Sequence, residues 1–157
     1  MRDRQGAAQR LRLGVRVMGS VAGGSYDVAV LGGGPGGYVA AIRAAQLGLK
    51  AAVIEREELG GICLNWGCIP SKALLRNAEV LSLIRRAAEF GIGIDGEIRA
   101  DYGAALERAI DRVVATHVRG LHYLMRKHAI DVVRGTGRLA ARNRLAVAGG
   151  PDGDREL

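Results

Sequence analysis

The chain has 157 residues, of which 48% are hydrophobic and 25% charged. That suits one globular domain with a real core and excludes a disordered or fibrous polypeptide. No run of about 18 apolar residues occurs, which excludes a membrane-spanning helix and a membrane partner. The net charge of +7 is no nucleic-acid footprint: +4 of it lies in the first 17 residues, with five Arg and one Asp, and the rest is spread without runs or interleaved aromatics.

Residues 1–25 lack the continuous apolar stretch of a secretory signal. Their Arg content fits a transit peptide only weakly, since Ser is nearly absent. They read as a basic, disordered extension, with Met18 as an alternative start. Aromatics make up only 4% of the chain, so the core must rest on Ala, Val, Ile and Leu. The cysteines are a single close pair, Cys63 and Cys68, which points to redox chemistry or metal rather than to structural staples.

From Tyr26 to Leu31 the apolar run Val28-Ala29-Val30-Leu31 reads as a buried strand, and Gly32–Gly37 as a turn. Tyr38–Leu47 reads as a helix with Val39, Ala40, Ile42, Ala45 and Leu47 near helical spacing, ended by Gly48. Lys50–Glu55 is a second buried strand. Strand, helix and strand in this order make a βαβ unit with parallel strands and a right-handed crossover. Gly60–Pro70 reads as a loop or irregular helix start, and Lys72–Glu89 as a helix with Leu74, Leu75, Val80, Leu81 and Ile84 apolar. Phe90–Gly96 is a connection. Tyr102–Lys127 is a long amphipathic helix with Leu106, Ile110, Val113, Val114, His117, Leu121 and Leu124 on one side. Ile130–Val133 starts a third strand, residues 138–147 read as a further one, and Gly149–Asp154 as a turn or frayed tail. The predicted fold is a Rossmann-like α/β domain over residues 26–148, incomplete as a dinucleotide-binding domain, with a tail at 149–157.

The turn Gly32-Gly33-Gly34-Pro35-Gly36-Gly37 fills the pattern G-x-G-x-x-G with Gly32, Gly34 and Gly37. Gly32 permits a tight exit from the strand, Gly34 lets the backbone approach a pyrophosphate, and Gly37 lets the helix pack closely on the sheet. The pattern alone is weak. Here it follows a strand, opens a helix, and is followed by Glu55 at the end of the next strand, 18 positions after Gly37. A carboxylate there suits ribose hydroxyls and disfavours a 2′-phosphate, hence NADP, at this site.

Cys63 and Cys68 have C-x4-C spacing between Gly60-Gly61 and Lys72. Three readings stand. Zinc would need further ligands from His117, His122 or His128, which lie in one distant segment. Two inert buried thiols are a second reading. The third is a dithiol–disulfide switch, with a helix N-terminus and the Lys72 cation nearby to lower a thiol pKa.

The stretches LGGGPGGYVAAIRAAQLGLK and IEREELGGICLNWGCIPSKALLRNAEV resemble the FAD domain of the pyridine nucleotide–disulfide oxidoreductases. The form CLNWGCIPSKALL is most similar to the dihydrolipoamide dehydrogenase branch; glutathione and mercuric reductases belong to the wider family. The resemblance is strong over Tyr26–Glu79, looser to about Gly137, and absent from residues 1–25. Many members have Thr where this chain has Ile62.

The resemblance implies FAD as cofactor. Gly32, Gly34 and Gly37 would hold its pyrophosphate, Glu55 with Arg56 its ribose end, the stretch Gly60–Cys63 (Gly60, Gly61, Ile62 and Cys63) would line it, with Ile62 removing a hydroxyl beside it, and Gly137 would contact the adenine. It implies a Cys63–Cys68 redox disulfide, in which Cys63 is the interchange thiol and Cys68 faces the flavin, with Lys72 near its N5 edge. His117 is expected to be a partly buried helix residue rather than a catalyst, and no metal is expected. The implied reaction oxidises dihydrolipoamide with NAD⁺. The implied partners are the lipoyl domain of a 2-oxo acid dehydrogenase complex and, for a full-length form, a second subunit. The implied location is the cytoplasm, or the mitochondrial matrix in a eukaryote.

A second G-x-G-x-x-G for NAD and the family's C-terminal His–Glu base are not among the 157 residues, so these residues alone are expected to have little or no turnover. The alternatives are an FAD-binding module without turnover, a glutathione or mercuric reductase-type relative, and a flavin-independent interaction protein that kept only the fold.

Overall fold

The computed structural model describes residues 24–157. The expectations for the basic extension therefore lie outside the described residues, apart from its last two positions. Strands β1 (Val28–Leu31), β2 (Ala51–Glu55) and β3 (Asp131–Arg134) form a parallel sheet in the order β1-β2-β3. This is the α/β class expected from the apolar runs. The central strand β2 is the best covered: Ala51, Ala52, Val53 and Ile54 are all buried, as befits a parallel strand packed on both faces.

Helix α1 (Pro35–Gln46) joins β1 to β2 and starts inside the glycine turn rather than after it, with Pro35 at its first position. Proline suits that position because its missing N–H would have had no helical acceptor. The buried face of α1 is Ala41 and Ala44, whereas Val39 and Leu47 are exposed. Small side chains let the helix lie close to the sheet, which outweighs the larger apolar residues as the packing choice.

Gly60–Pro70, read as a loop or irregular helix start, holds a short α2 (Gly61–Asn65) and the first turn of a long α3 (Cys68–Arg85). Helix α3 begins at the second cysteine, four residues before the expected helix over Lys72–Glu89, and ends at Arg85. Of the apolar residues of α3 only Ala73 is buried, while Leu75, Val80, Leu83 and Ile84 are exposed. After a 3₁₀ turn at Ala87–Phe90 comes α4 (Tyr102–Glu107), capped by the Asp101 carboxylate, which accepts from the Ala104 N–H at 3.0 Å.

The long amphipathic segment is not one regular helix. Arg108–Val114 is a π-helical stretch between α4 and α5 (Ala115–Lys127). Its wider turn shifts the phase of the apolar face. The buried residues are Ala109, Val114, Ala115, Val118, Leu121 and Met125, with a step of five from Ala109 to Val114 across the π segment, while Leu106 and Ile110 are exposed. The 3.6-residue reading had placed those two on the packed side.

Residues 136–148 form a hairpin, β4 (Thr136–Ala141) and β5 (Arg144–Ala148), rather than one strand. Asn143 makes its turn at φ +59°. The residues set apart as a tail make a turn and then β6 (Arg155–Glu156), which pairs antiparallel with β5. Leu157 packs on the small core of Ile54, Val133, Leu145 and Val147. The main core lies between the parallel sheet and α1, α2 and α5.

Candidate functional site

The glycine turn leaves β1 through Gly32 at φ +99°, with the Gly32 N–H donating to the Ile54 carbonyl at 2.8 Å. At Gly34, the N-cap of α1, a Cβ would meet nothing within 4 Å, and no side chain caps the helix. The first internal bond of α1 is from the Tyr38 N–H to the Gly34 carbonyl at 3.0 Å. The N–H groups of Gly36 and Gly37 therefore lack an intrahelical acceptor and carry the positive end of the helix dipole. Bare backbone, free donors and a positive field suit a phosphate group.

Glu55 closes β2 beside this turn. Its Oε2 accepts from the Gly33 N–H at 2.7 Å and its Oε1 from the Glu57 N–H at 2.8 Å. The carboxylate is thus fixed against the loop while each oxygen keeps a lone pair for a further donor. Gly60 continues the same surface: its N–H donates to the Gly33 carbonyl at 2.8 Å, at φ +101°. Gly61 opens α2 at φ +57°, and a Cβ on it would stand 2.9 Å from the Gly34 Cα. The helix that carries Cys63 is therefore seated directly on the glycine turn.

A cleft of about 370 Å³ lies at the carboxyl ends of the three parallel strands, where open α/β sheets take their ligands. Of the residues singled out in the sequence, Gly32, Glu55, Arg56, Gly61 and Gly137 line it. Gly137 lies over the sheet end: a Cβ there would come 2.5 Å from Leu31 Cδ2 and 2.9 Å from Ile54 Cγ2. Gly34 adjoins the cleft through its close approach to Gly61, and Gly60 as the neighbour of Gly61 in the chain, and Gly37 lies against the Gly32 carbonyl. Cys63, Cys68 and Lys72 are not part of its lining.

Sequence reasoning missed Glu57, Glu58, Trp66 and Thr136 as cleft residues. Trp66 was open to detection, because it follows Ile62 at helical spacing. Glu58 forms an ion pair with Arg134, whose guanidinium also donates to the Glu57 carbonyl at 3.2 Å, so the rim is tied to β3. Behind the rim, burial pushes the His122 imidazole below its ordinary pKa, with Glu58 acting in the opposite direction.

Cys63, partly buried in α2, and Cys68, exposed at the start of α3, are both free thiols. They lie close enough to share a hydrogen bond. That bond, followed by desolvation and the charge on Cys68, raises the Cys63 thiol above the ordinary range, while the Lys72 ammonium lowers it. The lowered pKa expected from the helix end is not what Cys63 shows. Two thiols sharing one proton network hold the second proton more tightly than a lone thiol would. Gly67 lets the chain fold back between them: a Cβ there would meet the Ile62 carbonyl oxygen at 3.0 Å and the Cys63 Cα at 3.3 Å.

Among the described residues no three His, Cys, Asp or Glu side chains gather as a metal-binding group. His117 is exposed rather than partly buried, with Nδ1 2.7 Å from the Val113 carbonyl one turn back. No helix among the described residues is long and apolar enough to cross a membrane.

A family profile described as pyridine nucleotide-disulphide oxidoreductase matches residues 26–154. The chain is 50% identical over 124 residues to the dihydrolipoyl dehydrogenase of Rhizobium etli and 54% identical over 122 residues to that of Mycobacterium tuberculosis. Each alignment covers 78% of this chain but only 25% and 26% of the respective relative. The chain thus spans about a quarter of the length of these curated relatives. Among solved structures, the Cu(II) complex of the HOCl-induced flavoprotein disulfide reductase RclA from Escherichia coli matches with a TM-score of 0.68 at 26% identity, covering 85% of this chain and 26% of that one. LpdA from Mycobacterium tuberculosis matches in fold, with a TM-score of 0.75 at 22% identity, over 83% of this chain and 29% of that one.

Proposed function

The chain belongs to the pyridine nucleotide–disulphide oxidoreductase family, and on that premise we propose that it is the FAD-binding, dithiol-bearing portion of a dihydrolipoyl dehydrogenase. The observation that carries the proposal is the contact of Gly61 with Gly34. It seats the thiol-bearing helix on a phosphate-binding turn, so one short segment serves both a dinucleotide and a dithiol.

The residues present fit FAD. The open backbone at Gly34 and the free N–H groups of α1 would take the pyrophosphate, and Gly37 would keep the helix close enough to do so. Glu55, held by two backbone donors, would accept from ribose hydroxyls, with Arg56 beside it. Gly60 and Gly61 would line the cofactor, and Gly137 would lie against the adenine. FAD, when bound, supplies a two-electron acceptor that links thiol chemistry to a nicotinamide nucleotide.

Cys63 is the interchange thiol in this reading. Starting from a Cys63–Cys68 disulfide, a dihydrolipoamide thiolate attacks Cys63 and breaks the protein S–S bond. The second substrate thiol then displaces Cys63 and closes the lipoamide disulfide. Two S–H bonds are lost from substrate and two gained by Cys63 and Cys68. Lys72 favours the thiolate form of Cys63. Cys68 would face the flavin, and Lys72 would lie near its N5 edge.

The remaining proposals concern the wider protein. NAD⁺ is the terminal acceptor, the lipoyl domain of a 2-oxo acid dehydrogenase complex the partner, a homodimer the full-length form, and the cytoplasm the location. Residues 26–148 form the first segment of the FAD domain.

The test is an absorbance spectrum of the purified chain refolded with FAD, before and after anaerobic dithiothreitol. A bound flavin band that gains long-wavelength absorbance on reduction supports a thiolate against the flavin. No retained flavin would overturn the cofactor assignment. The 157 residues alone should not turn over dihydrolipoamide with NAD⁺; turnover at the rate of a full dihydrolipoyl dehydrogenase would overturn the view that other parts complete the route.

A further inference from the structure

Trp66, on one wall of the cleft, has no role in the reading above. Ile62 and Trp66 both line the cleft. They lie one turn apart at α2 and its C-cap, joined by the Trp66 N–H to the Ile62 carbonyl at 2.9 Å, so they share a helix face. Both are exposed, at 76% and 57%. Ile62 offers no hydrogen bond, and the indole offers one donor with a broad flat face. The cleft is also lined by the charged Glu55, Arg56, Glu57 and Glu58, by the apolar Leu31 and Ile54, and by glycines. A concave site that combines charged groups with a bare aromatic face suits a ligand that has both polar groups and a flat or apolar part.

We infer that Trp66 is a positioning residue of the cofactor cleft, whose indole packs against bound FAD and, with Ile62, retains it by contact rather than by hydrogen bonding. The inference rests on the FAD reading. Trp66 also lies between Cys63 and Cys68 in the chain, although neither thiol lines the cleft.

Trp66 is the only tryptophan in the chain, so its emission reports on this wall alone. The experiment measures FAD affinity by flavin anisotropy for the chain and for Trp66→Phe and Trp66→Ala, together with acrylamide quenching of Trp66 emission with and without FAD. The expected result is that Trp66→Ala weakens FAD binding about tenfold or more while Trp66→Phe stays within a factor of about three. Bound FAD should also shield Trp66 from acrylamide. Circular dichroism should be unchanged in both variants, since the side chain is largely exposed. Equal FAD affinity in Trp66→Ala, with acrylamide access unaffected by FAD, would overturn the inference and leave the cofactor assignment intact. No flavin signal from the unaltered chain would instead overturn the cofactor assignment, and the role of Trp66 with it.

Discussion

A Cβ on Gly37 would stand 1.8 Å from the carbonyl oxygen of Gly32 and 3.2 Å from Val30 Cγ1. No rotamer relieves that overlap, because the obstacle is backbone. Gly37→Ala must push α1 off β1, at a cost of about 3 kcal/mol or more. Gly34→Ala is the informative contrast. Its φ of −70° is ordinary for alanine and its Cβ would enter open space. Stability should change by less than about 1 kcal/mol, yet the methyl would stand where the pyrophosphate approaches. Thermal melts should separate the two variants, and FAD titration should find both defective. Gly36→Ala, also in open space, should melt and bind like the unaltered chain.

Glu55 is held by two backbone donors before any ligand arrives. In Glu55→Gln one of the Gly33 and Glu57 N–H groups must face an amide NH₂, which cannot accept. We expect about 1 kcal/mol of lost stability and a roughly tenfold weaker FAD complex from the lost ribose acceptor. Glu57→Gln removes a carboxylate that anchors no backbone donor and should change both by much less. Denaturant melts and flavin anisotropy on the two variants provide the check. Equal effects would mean that the rim acts through net charge rather than through Glu55.

Much of this arrangement was legible in the sequence, for physical reasons that differ by element. Ala51–Ile54 is a continuous apolar run flanked by turn residues, as a doubly covered parallel strand needs. Val28–Leu31 is legible as a strand by the same sign, but it lies at the sheet edge, is only partly covered, and leaves Leu31 exposed rather than buried. The glycine turn was legible because Gly32, Gly34 and Gly37 have separate jobs at fixed spacing. The π segment was not. Leu106 and Ile110 fit a 3.6-residue stripe, and the five-residue step from Ala109 to Val114 shows only once the helix has something to pack against. The packed face of α1 was misjudged because Ala41 and Ala44 look unremarkable beside Val39 and Leu47. The β4–β5 hairpin reads as a single strand in the sequence: Leu145 and Val147 do alternate inward on β5, but the turn is made by Asn143 with no glycine or proline to mark it. Trp66 was read only as part of a motif, since its place in the cleft depends on how α2 sits on Gly34.

The shared hydrogen bond with Cys68 is the first cause that holds the Cys63 thiol up, and Lys72 opposes it. Removing Cys68 should therefore lower the Cys63 pKa. In Cys68→Ala, alkylation of Cys63 by iodoacetamide near pH 8 should be several-fold faster than in the reduced unaltered chain, because the thiolate is the nucleophile. Lys72→Gln should slow it. Peptide mass spectrometry over a time course reads both. A Cys63 rate that ignores Cys68 would mean that the two thiols do not communicate in solution.

Tyr26 ties the two ends of the parallel sheet together. Its hydroxyl donates to Asp131 Oδ2 at 2.9 Å, across from β1 to β3, and its ring lies under the Lys50 ammonium. Burial first, then the hydrogen bond and the negative charge of Asp131, push its pKa up to about 12. The folded state therefore holds the phenolic proton more tightly than the unfolded chain, whose tyrosine titrates near 10. The stabilisation is fully present below pH ~10 and is lost as pH rises through about 12. Tyr26→Phe should cost roughly 0.5–1.5 kcal/mol at neutral pH. It should also flatten the part of the alkaline loss that this group causes, so that the two stability curves converge above pH ~10. Urea melts at a series of pH values from neutral to alkaline would show the convergence. A gap that stays constant across that range would mean that the hydroxyl contributes by packing alone and that its proton is not coupled to folding.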